Sequence, residues 1–301
     1  LFMSKEKKMY QSIAEIVQTA QQRGVTIAKL MLEQESTYSG KTAEEIIKQM
    51  SKQLTAMSLA ASKGLTGNGV ASKTGLTQHQ AAKLAKYHQR GKTLSGDIAL
   101  TAMENAIATN EVNAAMGVVC AAPTAGSSGT LPGVLFALEK KLNLSRRNEI
   151  DFLLCASGFG LIVANHATIA GATGGCQAEV GSASAMAAAA AVEVSGGTPQ
   201  QSAEAFAFSL SNLLGLVCDP VAGLVEVPCV DRNVVGAVNA LAAADMALAG
   251  LTNTIPADEV IMAMKDVGER MPRELRETGL GGLAATPTGN QIKFNIFGTE
   301  A

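Results

Sequence analysis

Ala-rich apolar segments at helical spacing, broken repeatedly by Gly and Pro, constrain this chain more than any other feature, and the pattern is sharpest between Gly174 and Cys229. Ala183 to Val194 is mostly alanine. Alanine favours helix, and a helix clad in methyl groups lets its neighbours approach closely. Three cysteines of this stretch, Cys176, Cys218 and Cys229, each sit in a Gly- or Pro-containing break between segments. A side chain at a break is not tied to a helix face, so the three can be aimed at one point.

The same helical period runs along the rest of the chain. Lys5 to Arg23 carries Ile13, Ile16, Val17 and Ala20 on one stripe and stops at Gly24; Thr26 to Glu35 follows. Thr42 and Glu45 form a capping box for a helix reaching Lys63, and Thr198-Pro199 with Gln201 starts another reaching Leu216. Further helices are predicted from Thr77, Asp97, Leu131, Asn148, Val230 and Pro256, and beyond Pro272 a polar tail. Period-two alternation is scarce. The prediction is an all-α fold: one large helical domain over 1–301, with roughly ten helices and Gly-rich connecting loops. The Gly-rich loop at 64–75 is a weak boundary that would set off 1–63 as a small N-terminal helical subdomain. Hydrophobic residues make up 47% with aromatics at 4% and no Trp, so apolar bulk comes from Ala, Leu, Val, Ile and Met.

Composition removes several function classes. A net charge of −2 offers no basic footprint, so nucleic-acid binding is not expected. Ser4 to Lys8 leads into an amphipathic run rather than a signal-peptide core. The apolar run Phe152 to Ala164 is well short of the roughly 20 residues of a membrane span. A soluble, cytoplasmic chain is expected, without a membrane partner. Five cysteines, an odd number without secretory features, argue against a disulfide framework and leave reduced thiols available as core residues, ligands or nucleophiles.

The cysteine spacing matches no compact zinc or ferredoxin signature, so position rather than spacing carries the metal reading, with small buried hydrophobes as its alternative. Cys155 lies inside an apolar helix, where a structural thiol belongs, and Cys120 at a loop edge is ambiguous. A centre with three protein thiolates keeps an open position, as a catalytic zinc does. A fourth thiolate would have to come from Cys120, Cys155, a partner chain or nowhere. The run Cys120 to Pro132 is rich in small and hydroxyl residues just before an apolar helix. It reads as a carboxylate site or as a flexible connector; without a P-loop ending it is not a phosphate site. The matches of Lys73-Thr74-Gly75 and Gly40-Lys41-Thr42 to catalytic and nucleotide motifs read as chance. His79 and His88 read as solvent-facing. His166 reads as a satisfied core histidine or a catalytic one. Glu179 and Glu226, each three residues from a loop cysteine, read as acid–base groups, supporting acceptors or surface carboxylates.

Three motifs make the chain familiar: Gly-Gly-Cys-Gln-Ala-Glu-Val-Gly-Ser-Ala at 174–183, Cys-Asp-Pro-Val-Ala-Gly-Leu-Val-Glu-Val-Pro-Cys at 218–229, and Pro-Thr-Ala-Gly-Ser-Ser-Gly-Thr at 123–130. Together they closely resemble the α chain of the iron–sulfur-dependent bacterial L-serine dehydratases. The resemblance implies a [4Fe–4S] cluster on Cys176, Cys218 and Cys229. It implies conversion of L-serine to pyruvate and ammonia, in serine breakdown feeding gluconeogenesis and without pyridoxal phosphate. The cluster iron would act on the substrate hydroxyl, and Thr124, Gly126, Ser127, Ser128, Gly129 and Thr130, with Asn68, would hold the substrate. The base for the Cα proton is open among Lys63, His166, Glu179 and a partner residue. That family occurs as one long chain or as separate α and β chains, so a β-chain partner is expected. A hydro-lyase acting on threonine or another small β-hydroxy acid, and a non-catalytic metal-binding scaffold, are the alternatives.

Overall fold

A computed structural model describes residues 9–67 and 70–298. The fold is all-α. In chain order the helices are α1 (Ile13–Arg23), α2 (Ile27–Ser39), α3 (Ala43–Thr66), α4 (Gln80–His88), α5 (Gly96–Ala114), α6 (Thr130–Leu142) and α7 (Arg146–His166). The one-turn α8 (Gly171–Gly174) leads to a π-helical turn (Gln177–Gly181) that runs straight into α9 (Ser182–Val194). Then come α10 (Pro199–Asn212), α11 (Cys229–Leu248), α12 (Ala257–Arg270) and α13 (Pro287–Phe297). Among the described residues there is no sheet; two isolated bridges join Ala71 to Gln78 and Cys218 to Arg276.

Local signals set several helix ends. Thr42 and Thr198 form the expected capping boxes, and Ser145 with Asn148 forms a third. Gly24 and Gly40 close α1 and α2 in the left-handed region that glycine enters without strain. Helix α1 begins at Ile13, capped by Ser12, rather than at Lys5; Lys5 to Lys8 lie outside the described residues. The polar tail expected after Pro272 contains α13, with Thr286 as N-cap, Pro287 in the first turn and Gly298 at the end. It shows no helical stripe because only Gly289 of it is buried.

The core is organised on α9. All residues from Ser182 to Val192 are buried, and α6, α7, α10 and α11 pack around the helix. Apolar atoms all round a helix mark it as internal, and short alanine side chains let four neighbours share one axis. Phe159 of α7 and Phe206 of α10 stack with ring centroids 5.3 Å apart. Most polar groups of this core pair with one another: Ser184 Oγ donates to Gly236 O at 2.6 Å, and Asn239 Nδ2 donates to Ser184 Oγ at 3.0 Å and to Ser209 O at 2.9 Å, while Ser202 Oγ of α10 is buried without a partner.

Carboxylates from distant helices hold the N-terminal helices to this body. Glu193, at the end of α9, accepts from Ile27 N at 2.5 Å and Ala28 N at 3.0 Å. Asp258 accepts from Ile13 N and Ala14 N at 2.8 and 3.0 Å, and Glu111 from Gln80 N and Ala81 N at 2.6 and 3.1 Å. Each places negative charge on the positive end of another helix. Burial pushes the carboxyls of Glu111 and Glu193 up despite these donors. The apolar residues of α1 to α3 enter the same core cluster as those of α7, α9 and α10.

Ala189 has no exposed surface, so Ala189→Leu has no room and is expected to cost about 1–3 kcal/mol in a denaturant titration. Leu59→Ala, at a side chain 66% exposed, is expected to stay within about 0.5 kcal/mol. Equal midpoints for the two variants would contradict this description of the core.

Candidate active site

Cys176, Cys218 and Cys229 arrive from three separate segments. Cys176 stands immediately before the π-helical turn that opens α9. Gln177 fixes that turn: its N–H donates to Leu216 O at 2.9 Å, its Nε2 to Met264 O at 3.0 Å, and its Oε1 accepts from Gly215 N at 2.9 Å. Cys218 lies on an extended segment clamped by the C-terminal region, its N–H donating to Leu275 O at 2.8 Å and its carbonyl accepting from Glu277 N at 2.7 Å. Cys229 is the first residue of α11. Cys176 and Cys218 pack in one buried cluster with Val180 and Leu216. All three thiols are near enough to influence one another's ionisation.

Burial pushes the Cys176 and Cys229 thiols up to about 12, and Cys218 higher still, helped by Cys176 and Glu179 beside it. Arg232, one turn into α11, opposes the shift: its guanidinium donates to the Cys176 thiol and favours the thiolates of Cys176 and Cys229. The same side chain donates to Val217 O at 2.7 Å and pairs with the buried carboxylate of Asp219 at 2.7 Å. Asp219, which the sequence presents as a turn initiator, also accepts from Leu283 N at 2.7 Å.

Glu179 is the carboxylate that joins the thiols to the small-residue loop. One carboxylate oxygen each of Glu179 and Glu277 lies with the Cys218 Sγ in a set whose members are all within 4.8 Å of one another. Burial pushes the Glu179 carboxyl up, partly offset by donors from the Thr124 hydroxyl and the Gly171 N–H. A Cβ on Gly171 would stand 2.7 Å from Glu179 Oε2 and 3.1 Å from Cys218 Sγ, so that position has space only for glycine. A Cβ on Gly126 would stand 3.6 Å from both Glu179 oxygens. The loop tip therefore faces the carboxylate directly.

The loop divides into a tip and a buried base. Among the described residues, the N–H groups of Ala125 and Gly126 at the tip have no hydrogen-bond partner. Ser127, Ser128, Gly129 and Thr130 are buried. Ser127 Oγ donates to Ala122 O at 3.3 Å and lies 3.1 Å from Thr124 Oγ1, so it shapes the loop from within. Gly129 N and the Thr130 hydroxyl are taken up by Asn233 Oδ1 at 3.1 and 2.9 Å. Ser128 Oγ is buried without a partner.

The other sequence candidates fall elsewhere. Lys63 is exposed in the last turn of α3, and Asn68 lies outside the described residues. His166 is exposed at the end of α7 rather than in the core, because the helix ends there and the chain turns away. His88, expected to face solvent, is half-buried with Nδ1 2.7 Å from Glu104. Glu226 is buried and accepts from the Thr74 hydroxyl at 2.8 Å, tying the 70–77 loop to the segment before Cys229. Cys120 points to Gln53 Oε1 at 3.1 Å, and Cys155 is buried in α7 against Glu193. Four residues at the site had escaped notice: Arg232, Asn233, Gln177 and Glu277. The first two sit one turn after Cys229 and follow from helical spacing; Glu277 had no local signal.

An all-α body that gathers three thiols, an arginine and a carboxylate pair beside a small-residue loop presents a soft donor set of the kind a helical metalloenzyme uses. The family described as serine dehydratase alpha chain matches residues 22–284, and this chain belongs to it. It is 58% identical over 290 residues to the probable L-serine dehydratase alpha chain of Bacillus subtilis (strain 168), covering 96% of each chain. It is 46% identical over 285 residues to the L-serine dehydratase alpha chain of Peptoniphilus asaccharolyticus, covering 95% of this chain and 97% of that one. L-serine dehydratase 2 of Escherichia coli (strain K12) is 36% identical over 280 residues, which cover 91% of this chain and 61% of that longer one.

The raised thiols lead to a measurable behaviour. In chelator-stripped protein, iodoacetamide should alkylate Cys176 and Cys229 more slowly at pH 8 than a free cysteine thiol of pKa about 8.5, and the rate should still climb beyond pH 10. An alkylation rate that levels off below pH 9 would contradict the assigned burial.

Proposed function

We propose that this chain is the catalytic α chain of an enzyme that converts L-serine to pyruvate and ammonia, with a [4Fe–4S] cluster on Cys176, Cys218 and Cys229. The observation that carries this reading is the convergence of those thiols, from three separate segments, on a carboxylate hydrogen-bonded by the Thr124 hydroxyl of the small-residue loop. The donor set fits an iron–sulfur group: thiolates are its ligands, and Gly171 keeps the space beside Cys218 Sγ clear of side chain. Cys120 and Cys155 have neighbours elsewhere, so three protein thiolates would hold the cluster. When bound, such a group supplies Lewis acidity toward a poor hydroxyl leaving group.

The chain's own residues account for the rest of the reaction. The Ala125 and Gly126 N–H groups, left without internal partners, receive the substrate carboxylate and stabilise charge that accumulates as the Cα proton leaves. Glu179 takes that proton. It is half-buried beside both the loop tip and Cys218, whereas Lys63 and His166 are exposed. Arg232 offsets the charge of the thiolates. Loss of hydroxide and the Cα proton gives an enamine, which tautomerises and hydrolyses in water without catalysis.

A β chain completes the enzyme in this reading. The relatives carry the designation alpha chain, and the longer E. coli chain extends beyond the matched region. Serine breakdown of this kind feeds gluconeogenesis in the cytoplasm; among the described residues no helix is long and apolar enough to cross a membrane.

Anaerobic purification with the β chain, iron and sulfide quantification, and a pyruvate assay on serine against threonine test the reading together. Cys218→Ser should lose iron and activity. Glu179→Gln should keep its iron and lose at least about 100-fold in kcat. Absence of iron from the wild type, or full activity of Cys218→Ser, would sink the cluster assignment; a preference for threonine would move the substrate.

A further inference from the structure

We infer that Asn233 is a positioning residue that locks the substrate loop to the helix bearing Cys229, so that the carboxylate site and the thiol site keep one fixed separation. The inference rests on the reading of the 124–130 loop as the carboxylate site. Asn233 has no exposed surface and uses all of its amide. Its Oδ1 accepts from Gly129 N at 3.1 Å and from Thr130 Oγ1 at 2.9 Å. Its Nδ2 donates to Gly126 O at 2.8 Å and to Cys229 O at 2.9 Å. One planar group thus grips both ends of the Gly126–Thr130 turn and the first carbonyl of α11.

The fit around it is close. A Cβ on Gly236 would lie 2.9 Å from Thr130 Oγ1 and 2.8 Å from Val180 Cγ1, so α11, the start of α6 and the π-helical turn are already in contact. A carboxylate there presents oxygen to the carbonyls of Gly126 and Cys229, and an alanine removes all four bonds, leaving the Asn110 amide, which reaches Gly126 O at 3.2 Å and Gly129 N at 3.0 Å, as the remaining side-chain tie on the loop. A small substrate held at its carboxylate by the loop and at its hydroxyl beside the thiols tolerates little drift between the two, since a shift of about 1 Å costs on the order of 100-fold in rate.

The test uses the anaerobically isolated holoenzyme and L-alanine, which has serine's carboxylate and ammonium but no hydroxyl, so its binding reports the loop alone. For N233D and N233A, iron content and cluster absorption should equal those of the wild type. The L-alanine inhibition constant and the KM for serine should both rise about tenfold or more. T130V, which deletes one of the four bonds with little change of shape, should raise the inhibition constant about threefold. A lower melting temperature with an unchanged L-alanine constant would make Asn233 merely structural and overturn the inference, as would loss of iron in step with the weaker binding. If neither Asn233 variant folds, an unchanged constant in T130V overturns it. A wild type that makes no pyruvate from serine overturns the functional reading instead, and the two failures are told apart by that control.

Discussion

Close packing against the alanine face of α9 is the constraint on which the rest of the structure depends. An apolar surface all round, mostly of short alanine side chains, lets α9 be buried by α6, α7, α10 and α11 at once. That packing also decides where the site lies. Cys176 precedes α9, Cys229 begins α11, and the small-residue loop runs into α6 at Thr130. Asn233, one turn into α11, bonds to Gly129, Thr130 and Cys229, and Gly236 touches Thr130 and Val180, so the first turns of α6 and α11 and the π-helical turn before α9 meet at one end of the bundle. Helix N-termini carry partial positive charge and unpaired N–H groups, so this end of the core suits thiolates and a carboxylate.

The electrostatics of that end are finely opposed. Burial drives the three thiols toward their neutral form, and the proximity of Glu179 and Glu277 pushes Cys218 and Cys229 in the same direction. Arg232 acts against them, held in place by Asp219 and the Val217 carbonyl. A buried anion beside buried thiols is unfavourable, and Arg232, already paired with Asp219, offsets it only in part. A cationic group bound by the thiols would relieve this tension, which agrees with a site whose donors are arranged for a ligand rather than for folding stability.

Much of the fold was legible in the sequence, because capping boxes at Thr42 and Thr198 and glycine stops at Gly24 and Gly40 are local chemistry. The convergence of the three cysteines was legible only through their motifs, since nothing in their spacing brings Cys218 to Cys176. Cys218 is placed by bridges to Leu275 and Glu277, far along the chain. His166 was misplaced for a related reason: an apolar run predicts a buried helix but not which residue emerges from it. Asn233 and Arg232 could have been found by projecting α11 forward from Cys229, four and three residues on. Glu277 could not, because its role comes from a turn in a segment that reads as polar tail.

That segment shows how the site depends on non-local structure. Glu277 adopts a left-handed backbone with φ of 62°, a conformation uncommon for a side chain of its size. Its neighbours explain why the geometry persists: Leu275 and Glu277 hold the two faces of Cys218, Leu283 N holds Asp219, and α13 packs on the Val221–Gly223 turn between the two cysteines. Gly282 must approach Asp219 so closely that any Cβ there would lie 2.2 Å from its Oδ2. Asp219 in turn orients Arg232, and Arg232 reaches Cys176. The C-terminal segment is therefore coupled through one buried ion pair to the thiol most remote from it in sequence, and the site is a property of the closed circuit rather than of any one motif.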